Sequence, residues 1–248
     1  MSRLALVTGT SSGLGLAVAR QLLARGWSVM GIARRIAPID DPGYRHLAID
    51  LSDGDALVGK ITEHLTPRLH STLWDRLGLV NNAGLTGPLR PLKRVTVTEL
   101  QRVFAVNVTA PVWLMGYFAG HGSAVPLRIV NVSSGVTHQP RPGLAVYSSS
   151  KAALLNAARA LAAEWEEPTR KAPAPPDAAI LSYEPNVVDT PMQKEARSYP
   201  EEEFPWVATF QEYYRRRALV PADAPAAEIV EFLESKKQPR MVERRYQP

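Results

Sequence analysis

The hydrophobic and polar positions of this chain follow two alternating patterns. Short apolar runs, each ending in small or polar residues, alternate with longer segments whose apolar positions recur at helical spacing. This alternation predicts βαβ units and a doubly wound parallel sheet flanked by helices, an α/β fold whose strands bind ligands at their carboxyl ends. The strand-like runs are LALVTG, WSVMGIA, YRHLAID, LGLVNNAG, RIVNVSS and AAILSYEP, and the helical segments are 14–25, 54–65, 97–118 and 147–166.

The length of 248 residues suits one α/β domain, and neither an internal repeat nor an interdomain linker interrupts it. We therefore predict a single domain over 1–248. The proline-rich segment 168–179 is interpreted as a loop, with a PxxP recognition site as the alternative. The aromatic segment 192–217 follows a strand end directly. It is either a surface helix pair that packs on the core or a segment that covers the substrate.

Composition narrows the function classes. The chain is 45% apolar and 21% charged, which is typical of a globular protein. A net charge of +5 without a long basic tract argues against nucleic-acid binding. The chain has no cysteine and its five histidines show no HxxxH spacing, so we predict no metal site. The apolar run LALV is broken at once by TGTSSG, and PVWLMGYFAG is shorter than a membrane span of about 20 residues. We expect a soluble, cytoplasmic protein.

The stretch YSSSK places Tyr147 and Lys151 four residues apart at the start of a helical segment. Positions i and i+4 are neighbours on one face of a helix, so the phenol and the ammonium should project side by side. A neighbouring cation favours the phenolate, which predicts a lowered tyrosine pKa and an acid/base near neutral pH. The alternative is an incidental surface pair.

Three glycines lie between the first strand and the first helix. Gly9, Gly13 and Gly15 have the spacing G-x-x-x-G-x-G, and a missing Cβ permits a tight turn close to a pyrophosphate. After the second strand, where an acidic residue would hold the ribose of NAD, the chain carries Arg34 and Arg35. Guanidinium groups bind a 2′-phosphate, so we predict NADP rather than NAD. The alternative is that one or both arginines are ordinary surface residues.

Five motifs in order make the chain resemble the classical short-chain dehydrogenase/reductase family, with its single-domain Rossmann fold, over nearly its whole length. They are TGTSSGLG at 8–15, NNAG at 81–84, Asn107 in VFAVNV, Ser134 in IVNVSS, and YSSSK, with Asp50-Leu51 after the third strand. The segment DTPMQ with Arg197 looks more like the sepiapterin reductase and benzil reductase branch. That resemblance implies NADPH-dependent reduction of ketones and vicinal dicarbonyls.

The resemblance implies the roles of the catalytic residues. Tyr147 would protonate the carbonyl oxygen, Lys151 would lower the pKa of that tyrosine and bind the nicotinamide ribose, and Ser134 would polarise the carbonyl. Ser133 is the neighbouring alternative to Ser134.

Asn107 has an additional argument. We predict a helix capped by Thr98 with Gln101 as its capping-box partner. Pro111 within that helix lacks an N–H and so frees the Asn107 carbonyl four residues earlier. In the family this carbonyl holds a water of a proton relay; the alternative is a simple kink.

The resemblance also implies the cofactor contacts. Asp50 would contact the adenine and Thr190 the carboxamide. The full set of expected cofactor-binding residues is Gly9, Ser11, Ser12, Gly13, Leu14, Gly15, Arg34, Arg35, Asp50, Leu51, Asn82, Ala83, Gly84, Tyr147, Lys151, Val188 and Thr190.

The family usually has Pro-Gly where this chain has Pro185-Asn186, and asparagine tolerates the left-handed backbone that such a turn needs. We expect the 136–146 loop, with His138 and Gln139, and the segment 192–217 to select the substrate.

Three functions are compatible with these features. The first is an NADPH-dependent carbonyl reductase with Tyr147 as the general acid. The second is the same chemistry in the oxidative direction, as an alcohol dehydrogenase, because one acid/base serves both directions. The third is a non-enzymatic NADP-binding sensor. The resemblance further implies a homodimer or homotetramer formed through the helices at 98–118 and 147–166.

Overall fold

A computed structural model describes residues 2–71, 74–121, 125–167 and 177–247. Within these ranges seven strands form one parallel sheet in the order β3-β2-β1-β4-β5-β6-β7. The predicted α/β fold with a doubly wound parallel sheet is confirmed. The strands are β1 (Arg3–Thr8), β2 (Ser28–Ala33), β3 (Tyr44–Ala48), β4 (Arg76–Asn81), β5 (Leu127–Val132), β6 (Ala178–Glu184) and β7 (Met241–Arg245).

Helices cover both faces of the sheet. They are α1 (Gly13–Ala24), α2 (Gly54–His64), α3 (Thr66–Ser71), α4 (Val97–Phe104), α5 (Ala110–His121), α6 (Ala145–Glu166), α7 (Pro191–Ala196), α8 (Val207–Arg215) and α9 (Asp223–Glu234), with short 3₁₀ turns at Leu92–Arg94 and Gly135–Thr137. On one face Leu57, Phe118 and Leu154 pack into a large apolar cluster. On the other face Val18 and Ile229 belong to a second cluster. Each face thus buries the apolar side of several helices, which stabilises the sheet from both sides.

The strand order reverses between β1 and β4. The chain runs outward from β1 through β2 to β3 and then returns to place β4 on the other side of β1. The connections that follow the carboxyl ends of β1 and β4 therefore leave in opposite directions and open a crevice between them. The glycine turn after Thr8 and the NNAG motif after Val80 border this crevice.

The helix that contains Asn107 begins differently from the prediction. Thr96, and not Thr98, is its N-cap: the Thr96 hydroxyl accepts from the Glu99 N–H, and the Glu99 carboxylate accepts from the Thr96 N–H. The segment TVTELQ contains two overlapping capping patterns, Thr96 with Glu99 and Thr98 with Gln101. The first is used because the Glu99 carboxylate forms stronger, charge-assisted bonds and also pairs with Arg90.

Helical structure continues from Val97 to His121 through a π-helix at Ala105–Thr109. By length and composition this stretch could cross a membrane, a test that the core helix of a soluble protein also passes. The sequence already predicts a helix over 97–118, and the membrane span was excluded there because the continuous apolar run PVWLMGYFAG is only ten residues long. In the structure Leu114, Met115 and Phe118 of α5 are buried in the cluster beneath the sheet.

Three elements were absent from the prediction. α3 and α9 were not identified, and β7 carries the polar sequence MVERR, which does not resemble a buried strand. β7 lies at the edge of the sheet and pairs in parallel with β6, so its place depends on that partner and not on apolar periodicity. Residues 168–176 of the proline-rich segment lie outside the described residues, and so does the loop or PxxP interpretation that rests on them.

The turn after β6 keeps its shape with asparagine in place of the usual glycine. Asn186 has a φ of 65°, in the left-handed region, and its side-chain oxygen accepts from the Val187 N–H at 2.9 Å. Asparagine visits this region more readily than most residues because its side chain bonds the local backbone. The turn therefore forms as expected and leads the chain into α7.

Candidate active site

One cleft of about 1220 Å³ lies along the carboxyl ends of the strands. Of the predicted site residues it is lined by Gly9, Ser11, Ser12, Gly13, Leu14, Arg34, Arg35, Asp50, Leu51, Asn82, Ala83, Gly84, Ser134, Tyr147, Lys151, Val188 and Thr190. Gly15 and Asn107 do not line it and lie behind its wall, where they pack against cleft residues. The structure therefore brings the separate motifs of the sequence to one continuous surface.

The glycine turn forms one end of the cleft. Gly9 and Gly13 have φ values of 78° and 57°, which strain any residue with a side chain. A Cβ on Gly9 would lie 2.6 Å from the Asn82 amide nitrogen, so the turn has no space for one. Ser12 begins α1 without a side-chain cap, and no acidic residue occupies the first turn. The N–H groups at the start of α1 are therefore left for an anion, and the turn fits a pyrophosphate.

Thr8 connects the two strand ends at the crevice. Its hydroxyl oxygen accepts from the backbone N–H groups of Asn82 and Ala83, at 3.0 and 2.9 Å, and the Asn82 side chain donates back to the Thr8 carbonyl at 2.9 Å. The NNAG motif is thereby held against the glycine turn. The NNAG motif therefore contributes a rigidly held segment of backbone to the edge of the cleft.

Two arginines follow β2 at the same end. Arg34 and Arg35 are both exposed, and the Arg34 guanidinium lies 3.9 Å from the Asp50 carboxylate. Backbone hydrogen bonding from Ser52 lowers the pKa of Asp50, and the charges of Arg34 and Arg102 act in the same direction. The arginines leave most of their donors open to the cleft, which fits a phosphate on the adenine ribose.

At the opposite end Tyr147 lies on the first turn of α6 and Lys151 on the next. The Lys151 ammonium lies 5.7 Å from the centre of the Tyr147 ring, so the prediction that they are neighbours on one helical face is confirmed. Lys151 is buried, and its Nζ donates to the Val132 carbonyl at 2.7 Å. The pair thus stands against the end of β5.

The predicted direction of the Tyr147 pKa is wrong for this structure. Burial raises the pKa of Tyr147 to about 12, while interaction with the Ser134 side chain acts in the opposite direction. Burial also lowers the pKa of Lys151 to about 8. In both cases the cost of removing the charged form from water is the largest cause of the shift. At neutral pH the phenol keeps its proton and the ammonium remains charged.

The two serines after β5 have different surroundings. The Ser133 hydroxyl is buried and lies 3.1 Å from the Thr137 hydroxyl, whereas the Ser134 side chain interacts with Tyr147. This geometry favours Ser134 as the partner of Tyr147 over the alternative, Ser133.

Asn107 is placed by a feature that the sequence analysis missed. Near Pro111, where a simple kink was the alternative to a freed Asn107 carbonyl, the helix contains a π-helix in which the Ala110 N–H donates to the carbonyl of Ala105. The Asn107 side chain accepts from the Leu85 N–H and donates to the Leu85 carbonyl, both at 2.8 Å, and donates to Ser150 Oγ at 3.0 Å. The Ser150 hydroxyl in turn donates to the Tyr147 carbonyl at 2.8 Å. The side chain of Asn107 therefore fixes the first turns of α6.

Aromatic residues from the segment 192–217 form the wall next to Tyr147. Phe204 is fully buried, and Tyr147, Tyr199, Trp206 and Phe210 pack around its cluster. Tyr199, Trp206 and Phe210 also line the cleft. The segment is thus a helix pair, α7 and α8, that packs on the core and covers one end of the cleft.

The helix pair is tied together by polar contacts. Thr190 caps α7, and the buried Gln193 on that helix donates to the Phe210 carbonyl on α8 at 3.0 Å. Gln193 also accepts from Arg197, whose guanidinium lies 4.0 Å from the centre of the Tyr214 ring. These contacts hold the aromatic wall in position relative to Thr190.

Several cleft residues were not predicted. His138 and Gln139 line the cleft as expected of the 136–146 loop, but Arg90, Arg141, Glu184, Glu243, Arg244 and Arg245 were missed. The last three belong to β7, whose polar sequence concealed the strand. Arg141 lies two residues after Gln139 in a loop already singled out, so its charge was the available signal. Within the described ranges, no group of three or more His, Asp or Glu residues could hold a metal ion.

Comparisons with known proteins agree with this geometry. The family model described as short chain dehydrogenase matches residues 3–201. A benzil reductase ((S)-benzoin forming) of Bacillus subtilis (strain 168) is 30% identical over 231 residues, covering 92% of each chain. The crystal structure of the KRED1-Pglu enzyme has a TM-score of 0.82 at 25% identity, covering 97% of this chain and 100% of that chain. A 4-hydroxyisoleucine dehydrogenase complexed with NADH has a TM-score of 0.74 at 21% identity, covering 95% and 92%, and shares the fold.

The buried ammonium of Lys151 should reduce stability in a pH-dependent way. Its pKa of about 8 in the folded protein lies below the ordinary 10.5, so its burial penalty is fully present below pH 8 and fades as the pH rises towards 10.5. We expect Lys151→Met to be more stable than the wild type at about pH 7, with an advantage that shrinks by roughly 2 kcal/mol by about pH 9.5. Denaturant unfolding across this range measures the difference. An advantage that does not change with pH would contradict the prediction.

The contact between Ser150 and Asn107 should contribute to stability. We expect Ser150→Ala to lower the free energy of unfolding by about 1–2 kcal/mol, because it removes a buried acceptor from Asn107. Ser149→Ala is the matched control: its hydroxyl bonds only carbonyls of α6, and we expect a change within about 0.5 kcal/mol. Equal losses in the two variants, measured by denaturant unfolding, would refute a special role of Ser150.

Proposed function

Because the chain belongs to the short chain dehydrogenase family, and is therefore an oxidoreductase, we propose that it is an NADPH-dependent carbonyl reductase. Its substrates in this proposal are ketones or vicinal dicarbonyls. One observation carries the proposal: a single cleft has Tyr147, Lys151 and Ser134 at one end and the glycine turn at the other. The similarity to a protein named benzil reductase over 92% of the chain supports the reductive direction.

The two ends of the cleft support a nicotinamide dinucleotide. The glycine turn and the uncapped start of α1 would hold the pyrophosphate, and Asp50 would lie at the adenine. Thr190, beside Gly13, would lie at the carboxamide. A neighbour with the same fold is described as complexed with NADH, which supports the cofactor class. Arg34 and Arg35 are the reason to propose NADPH over NADH in this chain.

The residues of the chain provide the proton, stabilise the phenolate that remains and orient the carbonyl. The bound reduced nicotinamide supplies the hydride that turns a carbonyl into an alcohol. Tyr147 donates the proton to the carbonyl oxygen, since burial keeps its phenol protonated at neutral pH. Lys151, whose pKa of about 8 keeps it charged there, stabilises the phenolate that remains. The Ser134 hydroxyl orients the carbonyl next to the phenol.

Two other functions use the same residues. An alcohol dehydrogenase would run these steps in reverse, with the phenolate as the base. A non-enzymatic NADP sensor would bind the cofactor and leave the tyrosine idle. The buried Lys151 beside Tyr147 favours an enzyme, because burying its ammonium costs stability and a sensor has no need of it. We also propose a cytoplasmic homodimer or homotetramer that binds neither nucleic acid nor membrane and contacts its partner through α4–α5 and α6.

The role of Tyr147 is tested by removing its hydroxyl. We expect Tyr147→Phe to lower kcat by at least about 100-fold, because the proton donor is lost, and to leave NADPH affinity close to that of the wild type. Absorbance of the reduced cofactor measures turnover against a panel of diketones, pterin ketones and aryl ketones. Tyr213→Phe, an exposed cleft tyrosine, is the control. Turnover retained in Tyr147→Phe would refute the proposed acid, and NADPH binding without turnover of any carbonyl by the wild type would favour the sensor.

The cofactor preference is tested at the basic end of the cleft. We expect the double variant Arg34→Ala, Arg35→Ala to lose about 10- to 100-fold in kcat/KM for NADPH, because the 2′-phosphate loses its charge-assisted bonds. The same variant should be almost unchanged with NADH, which carries no such phosphate and serves as the internal control. Equal losses with both cofactors, or a wild type that prefers NADH, would overturn the NADPH assignment.

A further inference from the structure

We infer that the substrate end of the cleft binds an aromatic carbonyl compound that carries a carboxylate, with its ring on the Trp206 wall and its carboxylate on Arg141. The inference rests on the proposed function and deepens it. It assigns a specificity-determining role to Arg141, a residue outside the catalytic group.

The apolar wall supports the aromatic part of the substrate. Tyr147 packs in the same cluster as Val136, Tyr199, Trp206 and Phe210, so the surface next to the reacting group is made of rings and aliphatic carbons. Burying a flat apolar group against such a surface gives a favourable binding free energy, and aromatic rings favour stacked or edge contacts with it. A ring attached to the carbonyl would lie against this wall when the carbonyl oxygen lies at Tyr147.

Arg141 supplies a positive charge at the rim of that wall. Its guanidinium lies 4.5 Å from the centre of the Trp206 ring, and one of its nitrogens donates to the Gln139 side chain at 3.1 Å. No carboxylate within the described ranges lies within 4.0 Å of it. Two other cleft arginines are paired with carboxylates: Arg90 is engaged by Glu99, and Arg245 lies 3.9 Å from Glu184. Arg141 therefore keeps donors for a ligand.

The stacking on Trp206 prepares the guanidinium for that ligand. A planar guanidinium over an aromatic face keeps the N–H groups at its edge available, while the ring limits its rotation. The turn that carries it is also fixed: the Leu144 N–H donates to the Arg141 carbonyl at 3.1 Å, and a Cβ on Gly143 would lie 2.9 Å from the Phe204 ring. Little side-chain freedom remains to be lost on binding, which favours affinity.

The acidic residues near Arg141 leave its guanidinium available to an anion. Glu99 is bonded by Arg90 and by the Thr96 backbone, so its charge is compensated. Glu195 lies on α7, where burial first and then the charge of Glu195 raise the pKa of Tyr199, and it is beyond ion-pair distance of Arg141. A carboxylate at Arg141 would therefore meet an uncompensated cation, with which it can form two parallel hydrogen bonds.

Binding of an unreactive probe tests the inference independently of turnover. Titration calorimetry with NADP present would compare biphenyl-4-carboxylate with its methyl ester. A second pair, 4-benzoylbenzoate and its methyl ester, has a longer distance between the outer ring and the carboxylate. We expect each acid to bind the wild type about tenfold more tightly than its ester. Arg141→Met should abolish the preference. Arg244→Met removes a second cleft arginine without an ion pair within the described ranges, one that is more exposed than Arg141, and should keep the preference.

Turnover separates this inference from the proposed function. Benzil and the methyl ester of benzil-4-carboxylate probe carbonyl reduction alone, and the free acid adds the charge. Reduction of all three at equal kcat/KM would leave the proposed function standing and overturn the role of Arg141. A preference for the acids in binding that is lost in Arg141→Met, without reduction of any substrate, would support Arg141 and refute the reductase. An acid preference that persists in Arg141→Met would also overturn the inference.

Discussion

The reversal of strand order between β1 and β4 is the constraint on which the cleft depends. Where the chain leaves two neighbouring strands in opposite directions, the backbone groups beyond the strand ends lose their ladder partners. Thr8 replaces these partners, because its hydroxyl accepts from the N–H groups of Asn82 and Ala83 and its carbonyl accepts from the Asn82 side chain. The same Asn82 amide occupies the space that a Cβ on Gly9 would need. The TG and NNAG motifs are therefore one packing unit that keeps the crevice open without leaving these N–H groups unpaired.

At the opposite end of the cleft the structure buries a charged group, which costs stability. Lys151 is buried and hydrogen-bonded to the Val132 carbonyl, and its pKa falls because the ammonium has lost water. Such a group persists only where the surrounding structure fixes it. Asn107 contributes by bonding Leu85 at both its amide atoms and Ser150 on α6, so the loop after β4 and α6 hold each other. The π-helix around Asn107 thus connects the loop after β4 with the helix that carries Tyr147 and Lys151.

The sequence predicts those features that depend on neighbouring residues in the chain. Six strands follow from apolar runs, and the glycine turn and the Tyr147–Lys151 pair follow from spacing alone. Features set by contacts between distant segments were missed. β7 is a polar edge strand that exists because β6 offers it a partner, and the choice of Thr96 over Thr98 as the cap depends on Glu99, which Arg90 also engages. The pKa of Tyr147 moved opposite to the prediction because desolvation, which no local pattern encodes, exceeds the lowering effect of the Ser134 side chain.

The family match covers the residues proposed for the chemistry, but it does not cover all residues that line the substrate end of the cleft. The matched region ends at residue 201 and includes the glycine turn, Asn107, Ser134 and the Tyr147–Lys151 pair. Trp206, Phe210 and the β7 residues Glu243, Arg244 and Arg245 lie beyond it, yet they line the same cleft. In the proposed function, residues of the shared region hold the cofactor and the proton, while residues outside it help to shape the space where a substrate would lie. Arg141 belongs to the matched region, but its orientation depends on Trp206, which does not. Family membership therefore indicates the type of reaction more closely than the substrate. We expect substrate selectivity to depend on the aromatic wall.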